Sequence, residues 1–501
     1  MWRVKSLDAI LATAQKKTLH RSLGPVQLTL LGIGGVIGTG IFVLTAEAAQ
    51  KAGPGMLMSF VIAGAVSACA AFCYAELASM VPVSGSSYTY TYAVLGELMA
   101  WLVGWALVLE YAVAASAVSV GWSGYIVGLL AHLPDPIIIP PELAAGPYAG
   151  GVVNLLAVLI ALVITALLVI GTRESATVNA CLVAVKLVAL GAFIWLALPV
   201  MTVENFHPFA PLGTTGIIAA AASIFFGYVG FDAVSTAAEE TRNPQRNLPI
   251  GLMASLGICT VIYLLVAAGA IGSYGAQPVY GPGGEVLEPG SAMIADVCAS
   301  YATQPLVCSR EALAHVLRSI NHPLVGNLLG LAAGIALPTV ILMMIFGQTR
   351  IFFVMSRDGL LPEFLSRVHP RFRTPHVVTW ITGVAVAIGA AFFPVGRLAD
   401  YSNSGTLFGF AVVSLSVLVL RRTQPDRKRP FRAPMIWFFA PLAVIGCTVL
   451  FFFLPWQAKL LFPIWSAIGL VFYFAYGYRH SHVGRGRDKV PDVELPGPIA
   501  D

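Results

Sequence analysis

The chain has 501 residues, of which 57% are hydrophobic and only 11% charged, with a formal net charge of +5. Soluble domains carry about 25% charged residues, so a soluble globular domain is excluded and a polytopic membrane protein is indicated. The surplus of positive charge bears on membrane orientation and gives no reason to expect a nucleic-acid partner.

Residues 1–25 do not read as a secretory signal, because Asp8 and Lys16-Lys17 interrupt any apolar core. Val4, Leu7, Leu11 and Ala14 recur at helical spacing and predict an amphipathic helix lying on the membrane surface. Beyond them, apolar runs fall near 26–49, 57–80, 98–130, 152–171, 177–199, 214–239, 250–272, 324–350, 375–394, 401–420, 436–455 and 458–478. Each is about long enough to cross a bilayer as a helix, which gives twelve spans and puts both chain ends on one side. Most of the 29 Lys and Arg residues lie in the N-terminus, the even-numbered loops and the C-terminus. The positive-inside rule therefore places both ends in the cytoplasm.

The first run contains Gly32-Ile33-Gly34-Gly35-Val36-Ile37-Gly38-Thr39-Gly40. Five glycines in nine positions weaken a helix and let its backbone unwind. At membrane depth, unwound backbone survives only where protein or a cavity satisfies its polar groups. A half-helix N-terminus exposed there suits a carboxylate. Close helix packing through small residues is the alternative reading of this stretch.

After the second run, Pro82-Val83-Ser84-Gly85-Ser86-Ser87-Tyr88 predicts a turn-rich loop. The third run carries Glu110 and the fifth Lys186, both far from either end. Ionisable groups at such depth mark ion or substrate pathways, and a buried lysine can give up its proton. The sixth run repeats the anomaly of the first, with Gly227, Gly230 and Asp232 interrupting apolar residues. Glycine-broken helices at matching positions of two halves point to a transporter site.

Five of the seven cysteines fall within spans and read as small apolar fillers, while Cys298 and Cys308 share the long loop 273–323 and could pair. The charged segments Gly347–Arg350, Ser356–Pro362 and Arg429–Pro434 read as topology anchors, and the tail 479–501 is polar enough to predict disorder. No Walker motif, zinc-ligand spacing or nucleophile–base arrangement stands out. The glycines of the first run are not a nucleotide loop, because no βαβ unit surrounds them.

The segments GIGGVIGTGIF, PVSGSSYTY, FFGYVGFDAVSTAAEETRNPQR, GQTRIFFVMSRDGLLP and RPFRAP, in that order, resemble the amino acid–polyamine–organocation superfamily, specifically bacterial members of its cationic amino acid transporter branch. The resemblance covers about residues 20–480. It implies an all-α fold of twelve transmembrane helices: a five-plus-five inverted repeat with discontinuous helices 1 and 6, and two added helices. The expected organisation is a cytoplasmic amphipathic N-terminus (1–25), a transport core (26–422), two accessory helices (423–478) and a cytoplasmic tail (479–501).

The resemblance also implies that the substrate carboxylate binds at Val36, Thr39 and Gly40, and the α-amine at carbonyls of Phe226, Gly227 and Val229, with Phe226 as a gate. Glu110 and Lys186 match the groups that couple protons in relatives, so the proton is the coupling ion and no other cofactor is expected. Met344 matches a position lining the side-chain pocket. Its bulk, with no acidic partner for a guanidinium, favours small neutral amino acids over cationic ones. The expectation is a proton-coupled L-amino acid permease of the cell membrane, not an enzyme, acting as a monomer in the lipid bilayer. A cationic amino acid or polyamine exchanger of the same fold is the alternative.

Overall fold

The computed structural model describes residues 3–5, 7, 23–83, 85–171, 176–301, 303–372 and 374–486. Among them the regular structure is helical, with only the isolated bridges Leu23–Thr241 and Tyr280–Val286. Among the described residues nine stretches are long and apolar enough to cross a membrane, and three shorter apolar helices join them: Pro25–Val36, Leu155–Ile170 and His376–Phe392. The predicted surface helix falls largely outside the described residues, as does most of the tail.

The Glu97–Ala131 helix sits at the centre, with Trp101 and Tyr125 fully buried, and packs against Pro323–Arg357 and Val395–Thr423. The helices Ile436–Phe453 and Trp456–Phe472 lie at the margin. They hold Ile445, Phe452 and Val471 outward, as a lipid-facing surface requires, since the hydrocarbon asks for no polar exterior.

Three local expectations are corrected. The turn-rich loop contains a helix, Ser86–Val94. Its three tyrosines are buried and two are tied down, Tyr88 donating to Asp358 Oδ2 (2.9 Å) and Tyr92 to Glu97 Oε2 (3.0 Å), so tertiary bonds override the turn composition. The eighth helix runs on to Arg357 through the presumed anchor Gly347–Arg350, because Ile351 and Met355 continue its buried face. The start of the tail is ordered: Ser481 donates to Glu97, beside Tyr473 Oη at 2.9 Å from Glu97 Oε1.

The chain ends share one face, where Glu97 N–H donates to Arg3 O and Lys5 pairs with Asp358 at 2.9 Å. On the other face, the long loop carries the helices Ala292–Ala299 and Ala312–Ser319 and a disulfide between Cys298 and Cys308.

Candidate functional site: a chamber between two helix breaks

The first run is broken as the glycines suggest. The helix Pro25–Val36 stops at Ile37, and a short helix Thr39–Phe42 restarts the chain after Gly38, followed by Leu44–Ala52. The sixth run is helical over Gly213–Ile224, tightens to a 3₁₀ turn at Phe225–Tyr228, and resumes at Ala233–Thr236. Gly230 bridges the gap at φ 114°, a left-handed conformation that favours glycine.

The two breaks touch backbone to backbone. A Cβ on Gly40 would lie 2.2 Å from Gly227 Cα, and one on Gly230 would lie 2.8 Å from Gly35 carbonyl atoms. No side chain fits between them. That contact explains why both breaks need glycine at these positions, beyond any need for flexibility.

Between the breaks lies a chamber lined by Val36, Thr39, Gly40, Phe226, Val229 and Met344, all singled out above, together with Gly35, Gly38, Val118 and Val340. Gly227 stands behind Gly40 rather than in the wall. Among the described residues no charged side chain lines the chamber. Its space is about 10 Å³, close to what a single water needs, so it is shut in this conformation. The Thr39 hydroxyl is fully buried and has no hydrogen-bond partner among the described residues. A helix start also leaves its first N–H groups without intrahelical acceptors, and Thr39 and Gly40 are the first two residues of theirs.

Met344 is shared with a second cavity of about 550 Å³, which extends past Gly34, Gln27, Glu240 and Arg350 to the face of the chain ends. Met344 is therefore the partition between chamber and cavity.

Lys186, 1% exposed, donates to Gly34 O at 2.9 Å, one residue before the chamber wall. Glu110, also 1% exposed, lies elsewhere, beside Asp232. Its Oε1 has no hydrogen-bond partner among the described residues. Asp232 accepts from Gly230 N–H (3.2 Å) and Tyr111 Oη (3.3 Å). The structure thus brings Lys186 to the first break and Glu110 to the second.

Two residues went unassigned in the sequence. Asp232 was legible only as an interruption of its helix. Tyr263 lies in the helix Pro244–Tyr274, and its hydroxyl reaches Val36 O (2.7 Å) and Gly227 O (2.8 Å) at once. A phenolic hydroxyl in an apolar run is the signal, because at membrane depth it must find an acceptor and, unlike Ser255 and Thr260, which bond carbonyls of their own helix, it reaches beyond it.

Residues 23–474 match the family model described as "Amino acid permease". The branched-chain amino acid permease BcaP of Bacillus subtilis (strain 168) is 43% identical over 97% of this chain and 99% of its own. The methylthioribose transporter of the same organism is 40% identical over 96% and 98%. A vacuolar cationic amino acid transporter 4 of Arabidopsis thaliana is 36% identical over 81% of this chain and 64% of its own.

Proposed function

This chain belongs to the amino acid permease family and is a membrane transporter of amino acids; we propose that it carries neutral, apolar L-amino acids through the chamber between its two breaks, driven by protons. The observation that carries this reading is the composition of the chamber wall. It holds one unpartnered hydroxyl, on Thr39, beside the N–H groups of a helix start, and is otherwise backbone and apolar side chains. A carboxylate is served by that helix start, and an aliphatic side chain by Val118, Val340 and Met344. A guanidinium or polyamine finds no counter-charge there. The relative named as a branched-chain permease extends the expected range from small side chains to those of valine and leucine.

In this reading Val36, Thr39 and Gly40 take the carboxylate and carbonyls of Phe226, Gly227 and Val229 take the amine, Gly227 O, which Tyr263 holds behind Gly40 here, joining the wall only once the breaks part and Phe226 and Met344 withdraw to admit substrate. The architecture is the twelve-span, five-plus-five repeat with two added helices, both termini cytoplasmic, acting as a monomer without enzymatic activity. The 550 Å³ cavity is then the cytoplasmic vestibule, and the conformation faces inward with its chamber shut.

Lys186 and Glu110 carry the coupling. Charged, Lys186 braces the end of the first half-helix through Gly34 O; neutral, it releases it. Glu110 and Asp232 hold and pass on a proton at the second break. Reconstituted Lys186→Ala and Glu110→Gln test this. Accumulation driven by a pH gradient should vanish in both while substrate exchange persists in part. Wild-type accumulation in both would refute the coupling role.

A further inference from the structure

Outside the chamber, toward the disulfide-bearing loop, lies a separate cavity of about 140 Å³, roughly ten times the space one water needs. It is stacked on the chamber along two shared elements. Val118 lines the chamber, and Gly121 and Gly124 line the outer cavity; Thr39 lines the chamber, and Val43, Ala46 and Glu47 line the outer cavity. A Cβ on Gly121 would meet Thr39 Cγ2 at 2.2 Å, so the partition is one layer of side chains thick. From Gly40 to Glu47 is about 10 Å of helix at 1.5 Å per residue. Nothing in the preceding reading uses this cavity.

Among the described residues its wall carries one acidic and one basic side chain. Glu47 is 8% exposed and makes no ion pair among the described residues; its carboxylate rests against Gly396, where a Cβ would lie 2.5 Å from Oε2. Lys51, one turn on, is engaged by Asp400 at 3.0 Å and does not neutralise it by contact. Arg310 is exposed, packs against Gly124, and donates Nη1 to Ala144 O (3.0 Å), likewise with no carboxylate partner among the described residues. An acid and a base that face one cavity without meeting leave room for a ligand that carries an ammonium and a carboxylate. Val43, Val120, Ile294 and Val307 supply apolar wall between them. The roof, Pro289–Ala295, is fastened on one side by the Glu288–Arg397 pair (2.9 and 3.1 Å) and on the other by the Cys298–Cys308 disulfide.

We propose that this outer cavity is a second binding site for a zwitterionic α-amino acid, Glu47 taking the ammonium group and Arg310 the carboxylate, which holds substrate next to the shut chamber. The inference rests on the amino acid transport reading above. It is tested by counting binding sites for labelled L-leucine on the purified full-length protein in nanodiscs. Wild type should saturate at two equivalents per chain. Glu47→Gln, Arg310→Gln and Ala295→Trp, which plugs the cavity from an exposed helix, should each saturate at one, and Arg310→Lys should restore the second. Wild type saturating at one equivalent, or all three variants keeping two, would overturn the outer site alone. Absence of saturable leucine binding in wild type would remove the leucine reading and this inference with it. Should the charge variants misfold, the Ala295→Trp count decides.

Discussion

At the scale of single residues, the two breaks are held in register by a hydroxyl and a pair of glycines. Tyr263 Oη has one proton, and Val36 O and Gly227 O both lie within reach of it. Tyr263→Phe leaves both buried carbonyls without it, a loss of about 1–3 kcal/mol. We expect a lower melting temperature and reduced uptake; an unchanged melting temperature would show that the hydroxyl is not holding the breaks. Gly40 and Gly227 should respond unequally to alanine. The new methyl at 40 meets Gly227 Cα at 2.2 Å, whereas the one at 227 meets Gly40 Cα at 3.3 Å. Gly40→Ala should abolish uptake, with overpacking of about 1–3 kcal/mol or more, and Gly227→Ala should retain part of it. Equal effects on uptake would contradict this contact. The breaks themselves were legible because five clustered glycines and a mid-span aspartate have no place in a plain apolar helix. The role of Tyr263 was not, since its partners are carbonyls of two other helices.

At the scale of elements, the segment Arg429–Pro434 shows what sequence reading leaves open. It reads as a charged anchor, yet Arg429 bonds the carbonyls of Leu420, Gln424, Pro425 and Arg427, folding the loop onto the end of the tenth helix. Glu76, at the end of the second, accepts a two-pronged pair from Arg421 (2.9 and 2.6 Å) and the N–H of Ala433 (2.9 Å). Glu76 and Arg421 are 345 residues apart, and nothing local in either stretch announces the other. Breaking a buried pair from one side costs about 3–5 kcal/mol. Glu76→Gln should therefore sharply lower the yield of folded protein, measured as monodisperse elution in detergent. Normal yield and stability would reduce the cluster to a surface feature. The helix Ser86–Val94 was hidden for a related reason: turn-forming composition lost to the buried bonds of Tyr88 and Tyr92.

At the scale of the whole molecule, a shut chamber lies between a 550 Å³ cavity on the face of the chain ends and a 140 Å³ cavity on the other. The helices and their apolar faces were readable from hydropathy, because the bilayer imposes length and polarity on every span. Which side stands open was not, because one sequence must serve every conformation of the cycle. The proposed orientation puts Cys298 and Cys308 outside. On intact cells an impermeant maleimide should label the chain only after an impermeant reductant is added; labelling without reductant, or none after it, would contradict the disulfide or the topology. The central claim, a chamber built for neutral amino acids, is tested most directly by counterflow in proteoliposomes. Labelled L-leucine would be exchanged against unlabelled alanine, valine, leucine, arginine and methylthioribose. We expect the neutral amino acids to exchange and arginine and methylthioribose to be poor; arginine outcompeting the neutral amino acids tenfold or more, or methylthioribose alone exchanging, would contradict it.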